Sequence, residues 1–279
     1  MPTVSVIITC YNHGTYLDDA VNSVLAQSYN DYEIIVVNDG STALATNRLL
    51  VNYSRPRLRI LKTENRGLAE ARNFGIRNST GKYILPLDSD DTIASSYLEW
   101  AVPILEQHSN IKIVYGKARL FGERNEVFKL TPFAIDEMLV HNQIFCTAFF
   151  RRSDFDATQG YDPGMKGGWE DWDFWLTLLE QGGEVYQIPE TVFFYRIRHD
   201  SMAASLTPKM KESLRKRIFE NHEELYRSQF HIFARKYYLL LDSPDLKLGR
   251  YLLKPIRSLM KMVSMPGLKK RLPWEWPEE

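Results

Sequence analysis

The sequence predicts an α/β protein built on a doubly wound, mostly parallel sheet with a helical extension at its C-terminal end. Two observations carry this. Four short runs rich in β-branched and aliphatic residues, at 4–9, 32–37, 58–61 and 83–87, recur through the first third of the chain. They are near-continuously apolar rather than alternating, which suits parallel strands covered on both faces. Between them lie helical stretches. The first carries Leu17, Ala20, Val21 and Val24 at i, i+3, i+4 and i+7, a single apolar stripe. Strand and helix in alternation argue for right-handed βαβ crossovers.

In such sheets ligands sit beyond the carboxyl ends of the strands. The residues that follow the four runs are Thr9-Cys10-Tyr11-Asn12, Asn38-Asp39-Gly40-Ser41, Glu64-Asn65-Arg66-Gly67 and Asp88-Ser89-Asp90-Asp91. All four ends are polar, and together they favour a site over ordinary turn chemistry. From about residue 203 long helical patterns take over, with Met210, Leu214 and Ile218 on one face. The domains expected are therefore 1–202 and a helical extension, 203–279. Within the extension, residues 250–271 hold seven basic side chains and no acidic ones. That stretch reads either as a solvated cap or as a peripheral contact with an anionic membrane.

Composition limits the function classes. The chain has 279 residues, 44% apolar and 25% charged, the profile of a globular protein. Its 35 basic and 35 acidic residues cancel, so no net field draws it to nucleic acid. Cys10 and Cys146 stand far apart and suggest neither a disulfide framework nor a zinc site. No basic leader or long apolar segment is seen, and the location expected is the cytoplasm.

Three clusters could do chemistry. Asp88, Asp90 and Asp91 offer hard oxygen ligands suited to Mg2+ or Mn2+, or else the acidic first turn of a helix. In GGWEDWDFWLTLLE, Trp172, Trp175, Leu176 and Leu179 mark the buried face of a helix starting near Glu170. Glu170, Asp171 and Asp173 crowd its first turn, either as helix-dipole partners or as carboxylates made more basic by indole contact. In ENRGLAEARNFG, Arg66 or Arg72 could meet phosphate or brace an aspartate. No dinucleotide or P-loop glycine motif occurs.

The ordered segments VSVIITCYN, NDGST, ENRGLAEARN, LDSDD, GGWEDWDFW and YRIRHDSM together resemble the family 2 glycosyltransferases, which have the GT-A fold. The resemblance covers roughly residues 3–202. It implies inverting transfer of a sugar from a nucleotide diphosphate donor, a UDP-sugar, to a glycan or lipid-linked acceptor, in surface polysaccharide or glycolipid assembly. It places Thr9, Tyr11, Asp39, Arg72 and Asp88 at the nucleotide, Asp90 at the metal, and Asp171, with Glu170 beside it, at the catalytic base. The alternatives are a sugar-nucleotide nucleotidyltransferase and a non-catalytic nucleotide-sugar binder. Two departures stand out. Ala43 follows NDGST where an acid is usual, and Arg198 stands where the family has a histidine. Either His199, one position later, reaches the metal, or Arg198 touches the diphosphate as a cationic substitute.

Overall fold

The computed structural model describes residues 1–199, 201–249, 251 and 253. The four predicted apolar runs form β1 (Val4–Cys10), β2 (Tyr32–Asp39), β3 (Leu58–Thr63) and β4 (Tyr83–Asp88), and helices α1 (Gly14–Leu25), α2 (Leu44–Val51) and α3 (Leu68–Arg77) connect them. The stripe Leu17, Ala20, Val21 and Val24 is fully buried against this sheet. A two-residue strand β5 (Thr92–Ile93) and helix α4 (Tyr97–Gln107) follow.

The less legible middle resolves into β6 (Ile111–Gly122), β7 (Glu126–Phe128), α5 (Ile135–Met138), β8 (Phe149–Arg151), α6 (Arg152–Asp156), α7 (Glu170–Leu179) and β9 (Glu184–Ile197). The strand order is β3-β2-β1-β4-β8-β6-β9-β5, with β7 paired to β6. Pairings among β1 to β4 are parallel, as is β6 with β9, whereas β8 joins the two halves antiparallel to both β4 and β6. Strand β3 differs from the expectation of burial on both faces. It is the sheet edge, and its residues are all exposed or half-buried.

Register positions the site. Thr9 pairs with Asp88, Cys10 with Asn38, and Asp39 with Thr63, so the polar strand ends finish level along one edge. Gly40 turns the chain there with φ +64, and a Cβ on it would meet the Asn65 backbone nitrogen at 2.3 Å. Only glycine tolerates both the left-handed backbone and that approach.

Helices α8 (Met202–Ser205), α9 (Pro208–Asn221) and α10 (Glu223–Asp242) follow, and the described residues 244–249 are helical as well. Helix α9 has Thr207 as its N-cap, accepting from Met210 N, with Pro208 opening the first turn, a favoured start. Its Leu214 and Ile218 are buried as the pattern predicts, while Met210 is 37% exposed. Met1–Arg227 forms one compact unit and the described residues from Ser228 belong to a second. The basic stretch 250–271 lies outside the described residues apart from Tyr251 and Leu253. Among the described residues, no helix is long and apolar enough to cross a membrane.

Candidate functional site

A cavity of about 430 Å³ opens at the level strand ends, lined among others by Thr9, Tyr11, Asp39, Asp88, Asp90 and Arg198. Asp39 is held by its neighbours' backbone. Its two oxygens accept hydrogen bonds from Arg66 N at 2.9 Å and Gly67 N at 3.0 Å, at the start of α3. Asn12, with φ +62, accepts from Thr42 N and Ala43 N, each at 2.8 Å. Ala43 caps α2 without a side-chain bond, and Asn12 instead ties the two residues leading into that helix to the end of β1.

The three aspartates of LDSDD have separate environments. Asp88 Oδ1 accepts from Arg72 Nη2 at 2.8 Å and from Thr9 Oγ1 at 3.3 Å. Asp90 Oδ2 lies 3.1 Å from Arg198 Nη1. Burial and the nearby Asp88 charge raise the Asp90 pKa, and the Arg198 charge opposes them. Asp91 is fully buried, and its Oδ1 accepts from Arg196 N at 2.7 Å, tying the turn to β9. Burial first, then Asp90 and Asp88, push its pKa well up, and its Oδ2 has no partner. Asp91 thus braces the turn from beneath.

Arg72, expected among the nucleotide-binding residues, is 1% exposed and sits under the cavity. Its guanidinium joins Asp88 to Glu170. Burial disfavours its charge, but Asp88 and Glu170 outweigh that and raise its pKa well above the ordinary value. A buried arginine between two acids stays charged. Glu170 opens α7 after Gly167, Gly168 and Trp169, all three at positive φ. Trp169 is the costly one, since a bulky residue rarely adopts that region. It is held by an edge contact to Trp172 and by Arg215, whose guanidinium lies 5.4 Å from the Trp169 ring. Trp172, Trp175, Leu176 and Leu179 are buried as the spacing predicts.

Asp171 is half-buried. Its Oδ1 accepts from Trp172 N at 2.8 Å and its Oδ2 from Asn142 Nδ2 at 3.0 Å. Burial is the largest influence on it, followed by the Glu170 charge. Arg72 opposes both, and the net result is a pKa raised to about 7. A carboxyl poised near neutrality suits general-base work. Arg198 is 8% exposed. Besides Asp90 it meets His13 Nε2 at 3.0 Å and packs over the Tyr16 ring at 5.1 Å. Because a guanidinium only donates, His13 Nε2 is the acceptor in this contact. His199, by contrast, has an 86% exposed side chain, and its Nδ1 lies 3.0 Å from Glu123.

Three site residues escaped the sequence reading: His13, Asn142 and Cys146. His13 directly follows TCYN, at a strand end already flagged, and could have been found. Cys146 Sγ lies 3.5 Å from Asp88 Oδ2. It belongs to a stretch with no pattern of its own, as does Asn142.

Residues 5–172 match the profile of glycosyl transferase family 2. The chain belongs to that family. It is 31% identical over 214 residues to the putative glycosyltransferase EpsE of Bacillus subtilis, covering 72% of this chain and 75% of EpsE. It is 38% identical over 239 residues to the glycosyltransferase GlyA of Streptococcus pneumoniae, covering 76% of this chain but 33% of GlyA. Several curated relatives are thus much longer than the family 2 chain described here. Among solved structures, S. aureus TarS 1–349 in complex with UDP-GlcNAc superposes with a TM-score of 0.62 at 16% identity, over 88% of this chain and 77% of TarS. At that identity the likeness is one of fold, the GT-A arrangement of a family 2 domain.

Proposed function

We propose that the protein is an inverting glycosyltransferase that moves a sugar from a nucleotide diphosphate donor, a UDP-sugar, to an acceptor hydroxyl. The observation that carries this reading is the Asp88–Arg72–Glu170 bridge. It couples the acidic strand end that lines the cavity to the helix start that bears Asp171. Membership of the family and the UDP and UDP-GlcNAc complexes of TarS support it.

In this reading Thr9, Tyr11 and Asp39 receive the base and Asp88 faces the ribose. Asp90 is the hard carboxylate best placed for Mn2+ or Mg2+. The donor set fits such an ion, since Asp90 and Asp88 both line the cavity and offer hard carboxylate oxygens to it. Asp88, Asp91 and Cys146 also present ligand atoms within 4.8 Å of one another. That set mixes a thiol with a fully buried acid and suits a hard cation less well. When bound, the ion would offset negative charge on the departing diphosphate. Arg198, buried beside Asp90, adds a fixed positive charge facing the same region.

Asp171 removes the proton of the acceptor hydroxyl as that oxygen attacks the anomeric carbon from the face opposite the leaving diphosphate. Glu170 is committed to Arg72 and keeps the helix start in register. One displacement inverts the centre, and no covalent intermediate is needed. The acceptor is a glycan or a lipid-linked saccharide of a surface polysaccharide or glycolipid.

The test pairs two measurements on Asp171→Asn. Calorimetry with UDP and Mn2+ should give wild-type affinity, while UDP release from a UDP-sugar in the presence of acceptor should fall by about a thousandfold. Normal transfer by this variant would remove Asp171 as the base.

A further inference from the structure

The segment HNQIF, residues 141–145, precedes β8 and was silent as sequence, yet the fold brings it onto the start of α7. Asn142 donates from Nδ2 to Asp171 Oδ2 at 3.0 Å and accepts at Oδ1 from Ile144 N at 3.1 Å. The second bond fixes which way the amide points, since Oδ1 must face a donor and Nδ2 is left for the carboxylate. We propose that Asn142 is the positioning residue of the base, holding the Asp171 carboxylate in one orientation and favouring its ionised form.

The segment is built to hold Asn142 still. Gln143 is 1% exposed. Its Nε2 donates to Thr131 Oγ1 at 2.7 Å and to the Pro132 carbonyl at 3.0 Å, and its Oε1 accepts from Ala134 N at 3.1 Å. One buried amide therefore ties the segment to the stretch leading into α5. Trp172, the residue after the base, donates from its indole Nε1 to Met138 O at 2.6 Å. Tyr226 donates to Leu139 O at 2.6 Å. Asn142 is thus anchored from both sides, and part of that anchorage comes from the helix it serves.

The charge balance shows why a neutral donor belongs there. The titratable groups facing Asp171 are Glu170 on α7, Arg72 on α3, Asp88 at the end of β4, and Cys146 and Tyr161. Of these only Arg72 favours the carboxylate, and it is already shared between Asp88 and Glu170. A second cation would drive the Asp171 pKa far below neutrality and weaken it as a base. With Trp172 N as the one remaining hydrogen-bond donor, burial and the Glu170 and Asp88 charges would favour the protonated form. An amide hydrogen bond to the charged form lies between these extremes.

This inference rests on the base role of Asp171, and two measurements separate their failures. Side-chain carboxyl-13C aspartate NMR of the full chain follows the Asp171 titration, identified by its disappearance in Asp171→Asn, with no need for donor or acceptor. In Asn142→Ala the midpoint should rise by roughly one pH unit, the size of a lost hydrogen bond to a charged group. In Asn142→Asp, which keeps the shape and removes the donor, it should rise further through like-charge repulsion. UDP affinity should stay unchanged in both variants. Wild-type titration midpoints in both would overturn the inference while leaving the base reading standing. If the midpoints rise but Asp171→Asn transfers sugar normally, the base reading fails and the positioning role goes with it.

Discussion

Arg72 Nη2 lies 2.8 Å from Asp88 Oδ1, and the other terminal nitrogen of the same guanidinium holds Glu170. One fully buried cation thereby links the end of β4 to the start of α7, 82 residues apart by number (170 less 88). Removing it leaves two acids facing each other in low dielectric. Arg72→Met should therefore cost about 3–5 kcal/mol of unfolding free energy by urea titration. Arg72→Lys should recover part of that, because an ammonium cannot span both carboxylates as a guanidinium does. If Arg72→Met were as stable as wild type, the bridge would not be what holds α7 to the sheet.

Asp90 and Arg198 supply the second test. With UDP and Mn2+ in the calorimeter, Arg198→Ala should weaken affinity by about tenfold to a hundredfold, the scale of one charge-assisted contact. His199→Ala should leave it unchanged, because that side chain is directed to Glu123. The reverse ranking would restore His199 as the residue that answers Asp90.

Gly40 is the tightest backbone contact in the site. With φ +64 and the Asn65 nitrogen 2.3 Å from where a Cβ would stand, Gly40→Ala should destabilise the chain by about 1–3 kcal/mol. It should also weaken UDP binding, since the displaced segment carries Arg66 N and Gly67 N, the donors that hold Asp39. A shift in the thermal midpoint without a change in affinity would separate Gly40 from the cavity.

The first four strands and the acid pair were legible because each writes its own local pattern. Apolar runs ending in polar turns mark β1, β2 and β4, and the spacing of Trp172, Trp175, Leu176 and Leu179 marks α7. What stayed hidden depends on long-range contact. Strand β8 is three residues long and acquires its place only by pairing with β4 and β6. The burial of Arg72 could not be read from an amphipathic helix that accounts equally well for an exposed arginine. Asn142 reaches Asp171 across 29 residues, and no periodicity connects them. Arg198 was visible as a residue, but its partnership with Asp90 depends on where β9 ends.

His222 ends the chain of support behind the acid helix and gives the protein a pH-dependent stability. Its Nε2 lies 3.1 Å from Asp173 Oδ1 and its Nδ1 2.6 Å from Glu180 Oε1, so it clasps both ends of α7. Burial pushes its pKa down, but the bonds and charges of Asp173 and Glu180 outweigh this and raise it above the ordinary histidine value. A histidine whose folded pKa is raised stabilises the fold fully below its unfolded pKa. That contribution is lost as pH climbs from there through the folded pKa. His222→Gln should therefore cost about 3 kcal/mol near pH 5.5 and distinctly less near pH 9, measured by urea unfolding at both. The wild-type chain should lose stability over the same interval relative to the variant. Equal costs at the two pH values would mean that His222 serves by shape and neutral hydrogen bonding rather than by charge.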